Sequence, residues 1–183
     1  MLICEKHKFI YFDIPKTASS SFVKFFLDNI EGIKLHRHYF DTKEIDIKNY
    51  QCFTVVRNPY DRLVSSWTSV KNNELTDKFR NLSFLEFLES SLFILYKTPQ
   101  IDFLAKTNCL EDIKIIRFEN LKEELFRLKL FKEFGKQKEF PHLNKSERNK
   151  NWKPYINEKS EEIIWNDYQE DFKEFGYERY QGE

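Results

Sequence analysis

The chain has 183 residues, 40% of them hydrophobic and 33% charged, which is long enough and apolar enough for a compact domain with a real core. Its 30 basic and 30 acidic residues leave no net charge, which excludes a global field drawing the protein to nucleic acid or an anionic membrane, so any anion site has to be local. Cys4, Cys52 and Cys109 are far apart and form no CxxC, which argues against a disulfide framework or a zinc site.

In chain order, residues 8–13 (KFIYFD) are a short aromatic run of the kind that makes a buried strand, ended by Pro15. After a Ser/Thr cluster, FVKFFLDNI sets Phe22, Phe25, Phe26 and Ile30 on one helical face. Residues 51–56 (QCFTVV) read as a second buried strand, followed by Arg57, Asn58 and a helix from Pro59 to about Val70. The segment 83–93 (SFLEFLESSLF) predicts a further helix. Residues 113–117 (IKIIR) predict a third strand leading into a helix near 119–134. Residues 160–172 predict an amphipathic helix carrying Ile163, Ile164, Trp165 and Tyr168. No repeat, low-complexity tract or Gly/Ser linker divides the chain, so one domain over 1–183 is expected. Strands alternating with helices predict an α/β fold, a mostly parallel central sheet with helices on both faces. Ligands of such folds bind beyond the carboxyl ends of the strands, where the loops 14–20 and 57–58 lie.

The first of these loops, IPKTASSS (14–21), puts Lys16 directly after a strand and Thr17, Ser19, Ser20 and Ser21 where a helix begins. A helix start offers unpaired N–H groups and partial positive charge, and a lysine adds a full charge and a mobile donor. That is the chemistry of a phosphate or sulfate cradle. The loop lacks the Walker pattern, since it contains no glycine and its lysine precedes the hydroxyls. The same residues also suit a plain serine-capped helix beside a surface lysine.

In the second loop, VVRNPYDRLVSSW (55–67), Asn58 is a good N-cap, Pro59 fits the first helical position and Asp61 suits the first turn. Helix formation explains those three. It does not explain Arg57, whose guanidinium at a strand end is placed to fork onto a phosphate; Ser65, about two turns into the helix and one turn beyond Asp61 on the same side, could grip the same phosphate from another direction.

Together, IPKTASSSF and VVRNPYDRLVSSW resemble the two nucleotide-binding signatures of the sulfotransferases that use PAPS (3′-phosphoadenylyl sulfate), most nearly the carbohydrate and heparan sulfotransferase branch. RFENL (117–121), HLNKS (142–146) and DFKEFGY (171–177) are similar to that family as well, so the likeness runs from about residue 8 to 177. The resemblance implies the P-loop-type α/β fold of that family. It implies that Lys16, Thr17, Ala18, Ser19, Ser20 and Ser21 form the loop for the 5′-phosphosulfate. By the same likeness Arg57 and Ser65 bind the 3′-phosphate, and Asn144, Lys145 and Ser146 close over the nucleotide. The family often carries Gly-Gly or Ala-Gly where this chain has Ala18-Ser19.

Sulfuryl transfer needs an oxygen nucleophile, a group to neutralise the leaving oxygen and a base for the hydroxyl proton. Lys16 suits the leaving oxygen. Of the four histidines, His7 precedes the first strand and His142 lies in the late loop. His36 and His38, in KLHRHYF (34–40), face one way if that segment is extended, and some carbohydrate sulfotransferases resemble it in placing a catalytic histidine after the first helix. His38 is preferred narrowly over His36, with Asp13 the alternative base. No Asp, Glu or His cluster has metal-ligand spacing, so no metal is expected.

The expected enzyme moves a sulfuryl group from PAPS to an acceptor hydroxyl, first of all a sugar hydroxyl, and releases PAP (adenosine 3′,5′-bisphosphate). A nucleotide kinase or other P-loop phosphotransferase is one alternative, and a non-catalytic PAP- or glycan-binding module is another. The opening MLICEKHKFIYF is too short and too charged for a secretory signal, and no apolar run would span a bilayer, so a cytoplasmic setting is expected. Oligomeric state and acceptor are not legible, and the acceptor pocket is expected within 72–110.

Overall fold

The computed structural model describes residues 1–35, 47–72, 78–105, 107, 110–125, 127–128 and 151–182. Two compact units are distinguished: Met1–Val56 with Asp102–Asn144, and Arg57–Ile101 with Lys145–Glu183.

The first unit is built on a five-stranded sheet of order β3-β1-β2-β4-β5: β1 (Leu2–Cys4), β2 (Phe9–Phe12), β3 (Ile33–Leu35), β4 (Gln51–Val56) and β5 (Lys114–Arg117). β2, β4 and β5 are parallel, as the sequence pattern predicts. β1 pairs antiparallel with both β2 and β3, an edge the pattern does not announce. Leu2–Cys4 is too short to show a period, and only its partners make it a strand. Residues 5–8 turn the chain from β1 to β2, with Lys8 left-handed at φ 48°.

Every residue of β2 is buried, and β4 is buried after Gln51, so the continuous apolar runs reflect a sheet covered on both faces. Phe9, Tyr11 and Phe53 share one face with Phe22, Phe25 and Phe26 of helix α1 (Ser19–Asn29). Tyr11 stacks on Phe22 at 4.8 Å and on Phe53 at 5.2 Å, and Phe9 meets Phe26 at 5.0 Å between centroids. Each such ring contributes about 1.5–3 kcal/mol by burial alone. Helix α6 (Leu121–Leu125) adds Leu125 to this core. A single 3₁₀ turn, Phe118–Asn120, leads into it, where one helix near 119–134 is expected. Residues beyond 128 in that span lie outside the described residues.

The second unit is helical: α2 (Pro59–Lys71), α3 (Phe84–Glu89), α4 (Ile94–Lys97), the start of α5 (Gln100–Leu104), α7 (Glu158–Asp167) and α8 (Gln169–Phe175). The predicted helix over 83–93 is shorter than expected. Ser83 opens α3 with a capping box, Ser90 ends it, and Phe93 turns left-handed at φ 59° before α4. The helix expected over 160–172 is likewise two helices, broken at Tyr168, whose backbone (φ −121°, ψ 22°) leaves the helical region. Gly176 (φ 64°) closes α8, and the Tyr177 N–H returns to the Phe172 carbonyl at 2.9 Å. Tyr60, Leu63, Val64, Phe84, Phe87, Ile164 and Phe172 form the core of this unit. No helix among the described residues is long and apolar enough to cross a membrane.

The end of the chain is tied down at α2. Tyr60 stacks flat on Trp152 at 5.0 Å and donates its hydroxyl to Glu161 at 2.7 Å. Arg179 forks onto both oxygens of Glu161 at 3.0 and 2.8 Å. The Arg179 guanidinium, helped by the Tyr60 hydroxyl, holds the Glu161 carboxyl below its ordinary value of 4.5, against the opposing effect of burial. A carboxylate depressed in the folded state adds stability above its unfolded pKa and loses it as pH falls through the folded one. Glu161→Gln should therefore lower the melting temperature by a few degrees near neutral pH. The gap between variant and parent should close once the pH falls below 4.5, and a gap constant across that range would refute the ion pair's contribution.

Candidate functional site

The parallel register sets Phe12 opposite Thr54, and the Thr54 hydroxyl donates to the Phe12 carbonyl at 2.7 Å. The carboxyl ends of β2 and β4 are thereby held at one edge of the sheet. From there the chain must turn from β2 into α1 within residues 13–18. Lys16 (φ 69°) and Ala18 (φ 71°) both take the left-handed conformation, at a cost of about 1–2 kcal/mol for each non-glycine residue.

Ala18 is the N-cap of α1, so the capping position carries no polar side chain. The capping position is thus not one of the serines of the loop. Ser21 and Phe22 bond back to the Ala18 carbonyl at 3.0 and 3.1 Å, and the first-turn N–H groups of a helix are the ones that can meet an anion. Ser19 is half-buried, Ser20 exposed and Ser21 buried. Thr17 differs from its neighbours: it is fully buried and gives its hydroxyl to the Ile14 carbonyl at 2.8 Å, so it shapes the turn from inside. Beneath it, burial pushes the Tyr11 phenol well above its ordinary range; the Asp13 carboxylate adds to this and Thr17 opposes it. Asp13 itself is paired with the Met1 amino group.

In the second unit Asn58 caps α2 as expected, accepting from the Tyr60 N–H at 3.0 Å with Pro59 at the first position. Arg57 is nearly buried and does not stand alone. Its Nε and Nη2 both reach Asp61 Oδ2, at 2.8 and 2.7 Å. Asp61, read as a first-turn residue, thus also aims the guanidinium. Ser65 is buried one turn beyond Asp61.

Two residues that sequence reasoning missed sit behind Arg57. Gln100 accepts from the Arg57 N–H and donates to the Arg57 carbonyl, both at 2.9 Å. Asp171 accepts from the N–H groups of Gln100 and Ile101 at 2.9 and 2.8 Å, and from the Gln100 amide at 3.1 Å. Burial raises the Asp171 carboxyl above its ordinary value, and those N–H donors and the Arg62 guanidinium pull the other way. Nothing in TPQIDF marks Gln100. Asp171 left a faint signal, a carboxylate on the same buried face as Phe172 and Phe175.

Of the residues expected in the site, the described ones are Lys16, Thr17, Ala18, Ser19, Ser20 and Ser21 in the first unit and Arg57 and Ser65 in the second. His36, His38, Asn144, Lys145 and Ser146 lie outside the described residues. Among the described residues no group of three or more His, Cys, Asp or Glu is placed to hold a metal ion.

The chain belongs to the sulfotransferase family: the model of that family matches residues 1–178. No curated protein and no solved structure matches the chain. Membership makes sulfuryl transfer the reaction class, with a nucleotide donor and a hydroxyl acceptor.

The left-handed Ala18 carries a direct test. Glycine takes φ 71° without the Cβ penalty, and that relief exceeds the extra unfolded-state entropy glycine brings. Ala18→Gly should stabilise the protein by about 0.5–1 kcal/mol in urea unfolding. A loss of that size, the usual result of placing glycine in ordinary backbone, would contradict the left-handed turn.

Proposed function

We propose that the donor is PAPS, that the acceptor is a carbohydrate hydroxyl, and that PAP is released. The observation that carries this reading is the start of α1. It is a strained helix start with no polar side chain at its cap position, following a buried strand, with Lys16 in the turn, in a chain of the sulfotransferase family. The strain is consistent with a loop shaped for a ligand. When bound, PAPS supplies an activated sulfuryl group on a phosphate leaving group.

The loop 16–21 receives the 5′-phosphosulfate on its N–H groups and hydroxyls. Lys16 donates to the oxygen that bridges sulfur and phosphorus, so it neutralises charge as that bond breaks and the acceptor oxygen bonds to sulfur. His38 takes the acceptor's proton, with His36 and Asp13 as the other candidates. Arg57 and Ser65 bind the 3′-phosphate, the group that separates this donor from ATP, and Asp61 keeps the guanidinium aimed. Asn144, Lys145 and Ser146 complete the nucleotide's enclosure.

Lys16 acts mainly in the transition state, so Lys16→Ala should cut the catalytic rate by about two to three orders of magnitude and PAP affinity by much less. Parallel losses in both would remove it from the chemistry. Because Lys16 and not a metal ion meets the developing charge, labelled-PAPS turnover should survive excess EDTA. Loss in EDTA with rescue by Mg²⁺ would instead favour a kinase-like mechanism.

Arg57→Ala should weaken PAP binding by about 2–3 kcal/mol and leave adenosine 5′-phosphosulfate, which lacks the 3′-phosphate, nearly unaffected. Equal losses for the two ligands in calorimetry would refute the 3′-phosphate assignment.

A further inference from the structure

We propose that Gln100, itself fixed by Asp171, is the positioning residue that holds the Arg57 main chain for recognition of a nucleotide's 3′-phosphate. The inference rests on the role given to Arg57 above.

β4 ends at Val56, the last residue that pairs with β5. Arg57 is the next residue, and its N–H and C=O would ordinarily be satisfied by a neighbouring strand. One side-chain amide takes both instead. Gln100 Oε1 accepts the N–H at 2.9 Å, and Gln100 Nε2 donates to the carbonyl at 2.9 Å. Only an amide side chain presents one acceptor and one donor side by side in this way. Glutamate lacks the donor, and a leucine or methionine of similar size lacks both.

The amide is held in one orientation. Nε2 also donates to Asp171 Oδ2 at 3.1 Å, and a carboxylate accepts only, so the nitrogen must lie on that side. Asp171 further binds the main-chain N–H groups of Gln100 and Ile101, which fixes where the Gln100 side chain departs. Gln100 and Asp171 are both fully buried, so water does not compete for these bonds. The guanidinium is then aimed from the other direction by Asp61, one helical turn on. Main chain and side chain of Arg57 are thus fixed separately, and the Gln100 half of that control lies 43 residues away in sequence. A phosphate-binding arginine works by geometry as much as by charge, because a fork displaced by a fraction of an ångström loses its second bond.

The test is calorimetric titration of the full chain with two ligands, PAP and adenosine 5′-monophosphate, which differ by the 3′-phosphate. Parent, Arg57→Ala, Gln100→Met and the milder Gln100→Asn are compared, each checked for a cooperative melt. Arg57→Ala should abolish the preference for PAP. Gln100→Met should lose PAP affinity by about tenfold and keep 5′-monophosphate affinity within about twofold. Gln100→Asn should fall between parent and Gln100→Met, and it decides the matter alone if Gln100→Met does not fold. Adding Gln100→Met to Arg57→Ala should cost PAP binding nothing more, since the two act through one contact. If Arg57→Ala leaves the preference intact, the role of Arg57 itself is wrong. If Arg57→Ala abolishes it while the Gln100 variants keep it, or lose both ligands equally, Gln100 only supports the fold and the inference falls.

Discussion

The parallel pairing of β2 with β4 is the constraint on which the first unit depends. Its register sets Phe9, Tyr11 and Phe53 side by side on one face, and that aromatic surface must be covered. Phe22, Phe25 and Phe26 of α1 cover it. For α1 to lie there, the chain has to reverse from the end of β2 to the helix start in a few residues. The left-handed backbone of Lys16 and Ala18 is how it does so. The strain, about 1–2 kcal/mol per residue, is small beside the burial of several rings at about 1.5–3 kcal/mol each. Core packing thus imposes the left-handed conformation of the turn that leads into α1.

The second unit meets a different demand. It buries polar groups that need partners: the Arg57 main chain, the Gln100 amide, the Asp171 carboxylate and Arg62. Burial opposes the charge on Asp171, and three N–H donors pull the other way. Gln100 links the Arg57 main chain to Asp171, so a change at either buried side chain is felt by its hydrogen-bond partners. The outcome is a rigid seat for Arg57, where the charge on the guanidinium is shared with Asp61 and its direction set by it.

The likeness that points to the sulfotransferase family lies in local stretches, and those stretches are where sequence reading was most faithful. Asn58, Pro59 and the start of α2 stand where the pattern puts them. The aromatic runs at 9–12 and 51–56 are buried strands, and Phe22, Phe25 and Phe26 face the core. Reading failed where a short segment has no period of its own, as in β1 and β3. It failed also where a continuous apolar stripe hides a break, as at Ser90 and Tyr168.

Composition, periodicity and capping chemistry are properties of neighbouring residues. They determined the α/β class, the parallel strands, the starts of the main helices and the candidate anion-binding residues Lys16 and Arg57. Tertiary structure decided the rest. Thr17 turns inward to Ile14, Asp61 is tied to Arg57 as well as to its helix, and Gln100 meets Arg57 across 43 residues and Asp171 across 71. Those contacts join buried donors to buried acceptors far apart in the chain. No local pattern encodes such a pairing, because the cost of leaving either partner unsatisfied arises only once folding has removed both from water.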